Sequence, residues 1–175
     1  MPQAELPYTK FKLEDLLHTA RSSLFPNLEG KVGVLFSRDK TLANIRYHSP
    51  DQLFPAVITI NSILNHADTP IEVIEHIIIH ELLHLEIRPR TIEDKKVDHP
   101  PEFWEREKHL SSNSSPAMSW IFHHFFSYLK IDKKAERIFV KKKGYSAYLH
   151  DRLLSFNDFI AQYGSEANSE LQGKC

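Results

Sequence analysis

Cysteine is nearly missing from this sequence. Its single copy is Cys175, the last of 175 residues. An internal disulfide framework is excluded, and so is a zinc ribbon built on cysteine pairs. Any metal held by the chain would need histidine and carboxylate donors. Long apolar runs are missing too, and nothing approaches the ~18 residues of a membrane span. The first residues, MPQAELPYTKFKLEDLL, lack the basic-then-apolar pattern of a signal peptide. The expectation is a soluble cytoplasmic protein. A surplus of one charge sign is also lacking. The formal net charge is -1 and the pI is near 6.8, so overall charge selects neither nucleic acid nor membrane as partner.

What remains suits one compact domain with a real core, since 41% of the chain is hydrophobic. We expect that domain over residues 1–163, with a flexible tail over 164–175. No internal repeat is visible. Residues 12–24 place Leu13, Leu16, Leu17 and Leu24 near helical spacing, with Thr9 as a cap. Residues 31–37 and 42–48 read as strands joined as a hairpin, and 56–61 as a third strand. Thr69-Pro70-Ile71-Glu72 has the form of a capping box, and the helix it opens runs to about Ile87 before Pro89 stops it. At about 100° per residue, Ile71, Ile74, Ile78, Leu82 and Leu85 form one apolar stripe. Val73 and Ile77 lie on another face, beside His80 and His84. Such a helix is central, with structure packed on both sides. The expected fold is α+β, a small three-stranded sheet packed on this buried helix. Residues 88–98 read as a polar loop, a possible lid. Helices follow at 99–110 and 116–130, across a linker at 111–115. The second is strongly aromatic, a core payload.

One residue type is abundant. The chain has eleven histidines. A surplus of histidine favours a metal site and also a coincidental motif. Within IEHIIIHELLHLEIRPR, His80 and His84 are one helical turn apart on the same face, so both rings can reach one ion at about 2.0–2.1 Å. Glu81 is rotated about 100° from His80. Its carboxylate flanks the site, where it can take a proton from water. The competing reading is a buried helix that happens to carry histidine. The apolar face weighs against it, since two unsatisfied imidazoles there would be costly. His76 and His84 are about 12 Å apart along the axis and cannot share an ion. His76 therefore reads as an outer neighbour of the site or a surface residue. Ile87 and Arg90 exclude the metzincin pattern. The third ligand is His99, just before Phe103-Trp104, or a carboxylate from Glu102, Glu105 or Glu107. We prefer His99.

HELLHL followed by DHPPEFW resembles the SprT-like and YgjP-like zinc metallopeptidases, over roughly residues 31–110. The loop between His84 and His99 is longer than in the compact members, and the cysteine-rich ribbon of many SprT-like proteins is absent. The resemblance implies a zincin-like fold and Zn²⁺ held by His80, His84 and His99. It implies hydrolysis of peptide bonds by an activated water, with Glu81 as general base. It also implies a protein or peptide substrate paired along the free edge of the 56–61 strand. A further group should stabilise the oxyanion, and Tyr47, His48, His109, Tyr145 and Tyr148 are all candidates. The alternative is a zinc-binding interaction module without hydrolysis, associated with nucleic acid through the lysines of 130–145. That run reads more simply as a solvated face. His123 and His124 are adjacent, so they point to different sides and make a poor shared site.

Overall fold

A computed structural model describes residues 10–48, 53–133, 136–142 and 152–170, with side chains through 164. Tyr145 and Tyr148 lie outside these residues. The described elements form a mixed α+β domain of five α-helices and small sheets: α1 (Leu13–Leu24), α2 (Ile71–Glu86), α3 (Pro101–Leu110), α4 (Ser114–Phe125) and α5 (Phe156–Glu170). No described helix is long and apolar enough to cross a membrane. The last helix continues through Glu170, past position 164, where the sequence suggested a tail.

The main sheet holds β1 (Val32–Ser37), β2 (Ala43–Tyr47) and β3 (Ala56–Asn61) in the order β1-β3-β2. β3 runs parallel to β1 and antiparallel to β2. The expected β1–β2 hairpin is therefore not formed, and residues 56–61 are the central strand rather than an edge. The reason lies in burial. Ile58 and Ile60 are fully buried and Thr59 nearly so, which requires covered faces on both sides of β3. β2 carries Arg46 and an exposed Tyr47, and tolerates the edge. Asn61 sets the connection. Its buried side-chain amide donates to the Asp39 and Thr41 carbonyls at 2.6 and 3.2 Å, holding the β1–β2 link across the end of β3.

α2 packs against α1, α3, α4 and the sheet, the central position that its pattern predicts. Ile74, Ile78, Leu82 and Leu83 are fully buried beside Phe103, Trp120 and Phe125. Ile71 is the exception in the expected stripe. It sits in the first turn and is half exposed. The capping box is not formed either. The helix starts directly after Pro70, no side chain caps it, and the Thr69 hydroxyl is buried without a partner.

Two small hairpins complete the site. β4 (Arg90–Ile92) pairs with β5 (Lys95–Val97), where the sequence suggested a loop. Glu93 and Asp94 both take positive φ, the backbone of a tight two-residue turn. β6 (Leu129–Asp132) pairs with β7 (Arg137–Val140) inside the lysine-rich run. It shortens the expected aromatic helix, which ends at Phe125 and passes through a 3₁₀ turn. β7 is fastened to the start of β2. Leu42 N–H donates to the Ile138 carbonyl at 2.8 Å, and Val140 N–H to the Lys40 carbonyl at 2.7 Å.

Candidate metal centre

α2 presents His80, Glu81 and His84 to a cavity of about 670 Å³ between the β2 edge, α3, α4 and both hairpins. The turn before α3 brings in His99. Pro101 opens that helix, fixing the backbone just after His99. Phe103, fully buried, supports all three imidazoles, with ring centroids 4.7–5.0 Å away. Trp104 stacks on His99 at 4.8 Å from the solvent side.

His80, His84 and His99 each offer a donor atom, all within 4.8 Å of one another. They could hold a metal ion. The second nitrogens show why these rings point inward. His80 Nδ1 lies 2.6 Å from Glu107 Oε1, and His99 Nδ1 lies 2.9 Å from Glu136 Oε2. With their Nδ1–H groups donated to carboxylates, both rings turn lone pairs inward. Their Nε2 atoms are then 3.1 Å apart. Two lone pairs at that distance repel unless a cation or proton lies between them. The spacing is close to the ~3.3 Å between ligand nitrogens around a tetrahedral ion. Carboxylates behind imidazole ligands are the usual support of such sites. The His84 Nδ1 atom is buried without a hydrogen-bond partner, a further sign that the donor set fits a cation.

Protonation separates His80 from the other two rings. Burial pulls His84 down to about 3, assisted by His80 and His99. Burial and the His80 charge also lower His99, against the pull of Glu136. Both rings keep lone pairs free at neutral pH. For His80, burial is outweighed by the Glu107 hydrogen bond and by the charges of Glu81 and Glu107, so its pKa is raised. Glu107, despite burial, is lowered by the same bond. Its other oxygen accepts the Ser114 hydroxyl at 3.2 Å.

Glu81 is buried in the same cavity. Burial pushes its carboxyl up to about 7, while His80, Arg137 and a hydrogen bond from the Ile45 amide pull the other way. A carboxyl poised there can exchange a proton near neutral pH.

The sequence-derived candidates sort clearly. His99, not a carboxylate, completes the cluster. Glu107 braces His80 instead, Glu102 pairs with Arg90, and Glu105 is exposed. Tyr47 lines the cavity, and its hydroxyl donates to the His84 carbonyl at 3.2 Å. His48 and His109 do not line it. Of the two places expected for His76, the structure gives the outer neighbour and not the surface: its ring centroid lies 6.3 Å from that of His80, edge to face. It is 2% exposed and lines the cavity. Glu136 and Arg137 escaped sequence reading because only the β6–β7 fold brings them near. Arg137 pairs with Asp98, beside His99, at 3.3 Å. No family model, curated protein or solved structure matches this chain.

Proposed function

We propose that this chain is a zinc-dependent metallopeptidase with a zincin-like fold, akin to the SprT-like and YgjP-like enzymes. One observation carries the reading. A buried carboxyl, Glu81, shares a cavity with three converging imidazoles, two of them braced by carboxylates. A structural site has no use for such a base. His80, His84 and His99 would hold the ion, and a bound Zn²⁺ supplies Lewis-acid polarisation of a carbonyl and acidification of water. Glu81 takes a proton from the attacking water onto its carboxylate and returns it to the departing amine nitrogen. Tyr47 and Arg137 line the same space and are the donors available to a developing oxyanion.

The substrate's place is the outer edge of β2. His48 N–H bonds to Pro55 on the β3 side, whereas Ile45 N–H points away to Glu81. By the alternation of an antiparallel ladder, Ala43, Ile45 and Tyr47 turn their backbone groups outward. An extended peptide would add to this edge as another strand.

The test compares wild type with Glu81→Gln for metal content and for cleavage of an unfolded protein such as casein. We expect about one zinc per chain in both, with cleavage falling at least ~100-fold in the variant. Zinc bound tightly in both but no cleavage by either would make the chain a binding module instead.

A further inference from the structure

The outer edge of β2 has a neighbour at one end. Thr41, just before the strand, bridges to Phe139 in the antiparallel sense. The Leu42 amide is bonded to the Ile138 carbonyl, and the Val140 amide to the Lys40 carbonyl. Continuing that register brings Arg137, the first residue of β7, level with Ala43. Glu136 takes positive φ, and β7 reaches no further. No other described strand lies beside Ala43–Tyr47 on this side. A peptide added to the edge would therefore lie end to end with β7, which would stop it near Ala43.

Direction decides which end of the peptide is stopped. β7 runs antiparallel to the chain at Thr41, so a peptide antiparallel to β2 runs the same way as β7. Its C-terminus points at Arg137. A parallel peptide would point its N-terminal ammonium there instead. Charge favours the first. The Arg137 side chain is half exposed and lines the cavity. Three cations line that space, and Arg137 has the longest contact of them. Arg46 meets Asp39 at 2.6 Å and Lys96 meets Asp98 at 2.9 Å, whereas Arg137 reaches the same Asp98 at 3.3 Å. One carboxylate shared by two cations leaves positive charge over. A guanidinium has five N–H donors, so this one contact leaves a fork for a second carboxylate. Spacing sets how much peptide fits. Glu81 accepts the Ile45 amide, which puts the base level with Ile45. From Ile45 to Ala43 is ~7 Å of strand, the length of one or two residues of peptide.

We propose that the chain trims peptides from their C-terminal end, releasing the last one or two residues, with Arg137 holding the terminal carboxylate. This rests on the peptidase reading and narrows its substrate. The oxygen of water bonds to the scissile carbonyl carbon, the C–N bond breaks, and the proton taken by Glu81 goes to the freed amine. The products are the shortened peptide with a new carboxylate and the C-terminal fragment. With Arg137 on the terminal carboxylate, Tyr47 is the donor left for the oxyanion. Recognition of the carboxylate itself does not require hydrolysis.

N-terminally blocked peptides are made in pairs, one with a free C-terminal carboxylate and one with a C-terminal amide. Calorimetry measures their binding to the metal-loaded Glu81→Gln chain, alone and with Arg137→Gln or Arg137→Lys added. We expect the acid to bind at least about tenfold more tightly than the amide. The preference should vanish with Arg137→Gln and persist in part with Arg137→Lys. Wild type is assayed on the same pairs, with products read by mass spectrometry. The acid should lose one or two C-terminal residues, and the amide should be cut at least about tenfold more slowly. Equal binding of acid and amide would overturn the proposal. So would a preference that survives Arg137→Gln, which would assign the carboxylate to the metal. Cleavage of internal bonds in acid and amide alike would sink the trimming and leave the peptidase reading intact. A preference that depends on Arg137, with no peptide cut, would leave the carboxylate site standing and overturn the hydrolysis on which trimming rests.

Discussion

His80, His84 and His99 converge, whereas His66, His123 and His124 lie near one another and do not. The contrast separates histidine abundance from a metal site. In the first group the outward nitrogens of His80 and His99 meet Glu107 and Glu136, so the inward nitrogens are fixed as donors to an ion. In the second group the nitrogens serve the backbone. His66 Nδ1 accepts the Asp68 amide at 3.0 Å, and His124 Nε2 accepts the Leu154 amide at 3.4 Å. The rings of His123 and His124 pack on Tyr163 and Trp120, with centroids 4.6 Å apart. Ring count is similar in the two places. What differs is the partner of each second nitrogen, and that decides whether a ring can be aimed.

The largest effect that would sharpen this contrast is loss of a ligand. His84→Ala and His99→Ala should each weaken zinc binding by more than about 100-fold, beyond what removal of a supporting group does. His123→Ala and His124→Ala should leave it unchanged. Chelator competition on the purified chains measures this, and a metal lost equally from both groups would break the comparison.

The supporting carboxylates come next. Glu107→Gln and Glu136→Gln should lower zinc affinity by roughly 10–100-fold without abolishing it. Glu107 should matter more. It is buried and also holds Ser114, whereas the Glu136 side chain is 43% exposed and better screened. Equal affinity in wild type and both variants would mean that the three imidazoles are aimed by packing on Phe103 alone.

Sequence and structure part where contacts become long-range. The α2 helix is legible because its apolar periodicity and Pro89 are local signals, and the pairing of His80 with His84 follows from helical pitch. His99 is legible because it stands just before the helix start marked by Pro100-Pro101 and Phe103-Trp104. Strand order is not. Alternation in residues 31–37 and 42–48 says which residues face inward, but not that β3 inserts between them. The first turn of α2 misled in two ways. Thr69 and Glu72 have capping-box spacing, yet Thr69 is buried with its hydroxyl unpaired, and Ile71 faces outward. Glu136 and Arg137 were invisible for a third reason. Nothing in a lysine-rich run marks a hairpin whose tip reaches a histidine 37 positions earlier.

The smallest expected effect concerns pH, and it belongs to the second group. Burial, with the nearby His123 and His66, lowers His124 to about 4 from an ordinary value near 6.5. Its neutral form is therefore favoured in the folded chain, while the unfolded chain takes up the proton more readily. Between pH 6.5 and 4 the unfolded state binds more protons at this position, so stability contributed by His124 is present above 6.5 and lost as pH falls through that window. His124→Phe keeps an aromatic ring beside Trp120 and removes the titration. Its urea-unfolding free energy should fall less steeply than that of wild type from pH 6.5 to 4, with the two parallel above pH 7. The metal centre is common to both chains, so acid release of the ion cancels in the difference. Parallel curves throughout would mean that His124 stays as solvated as an ordinary surface histidine, and that the contrast between the groups rests on geometry alone.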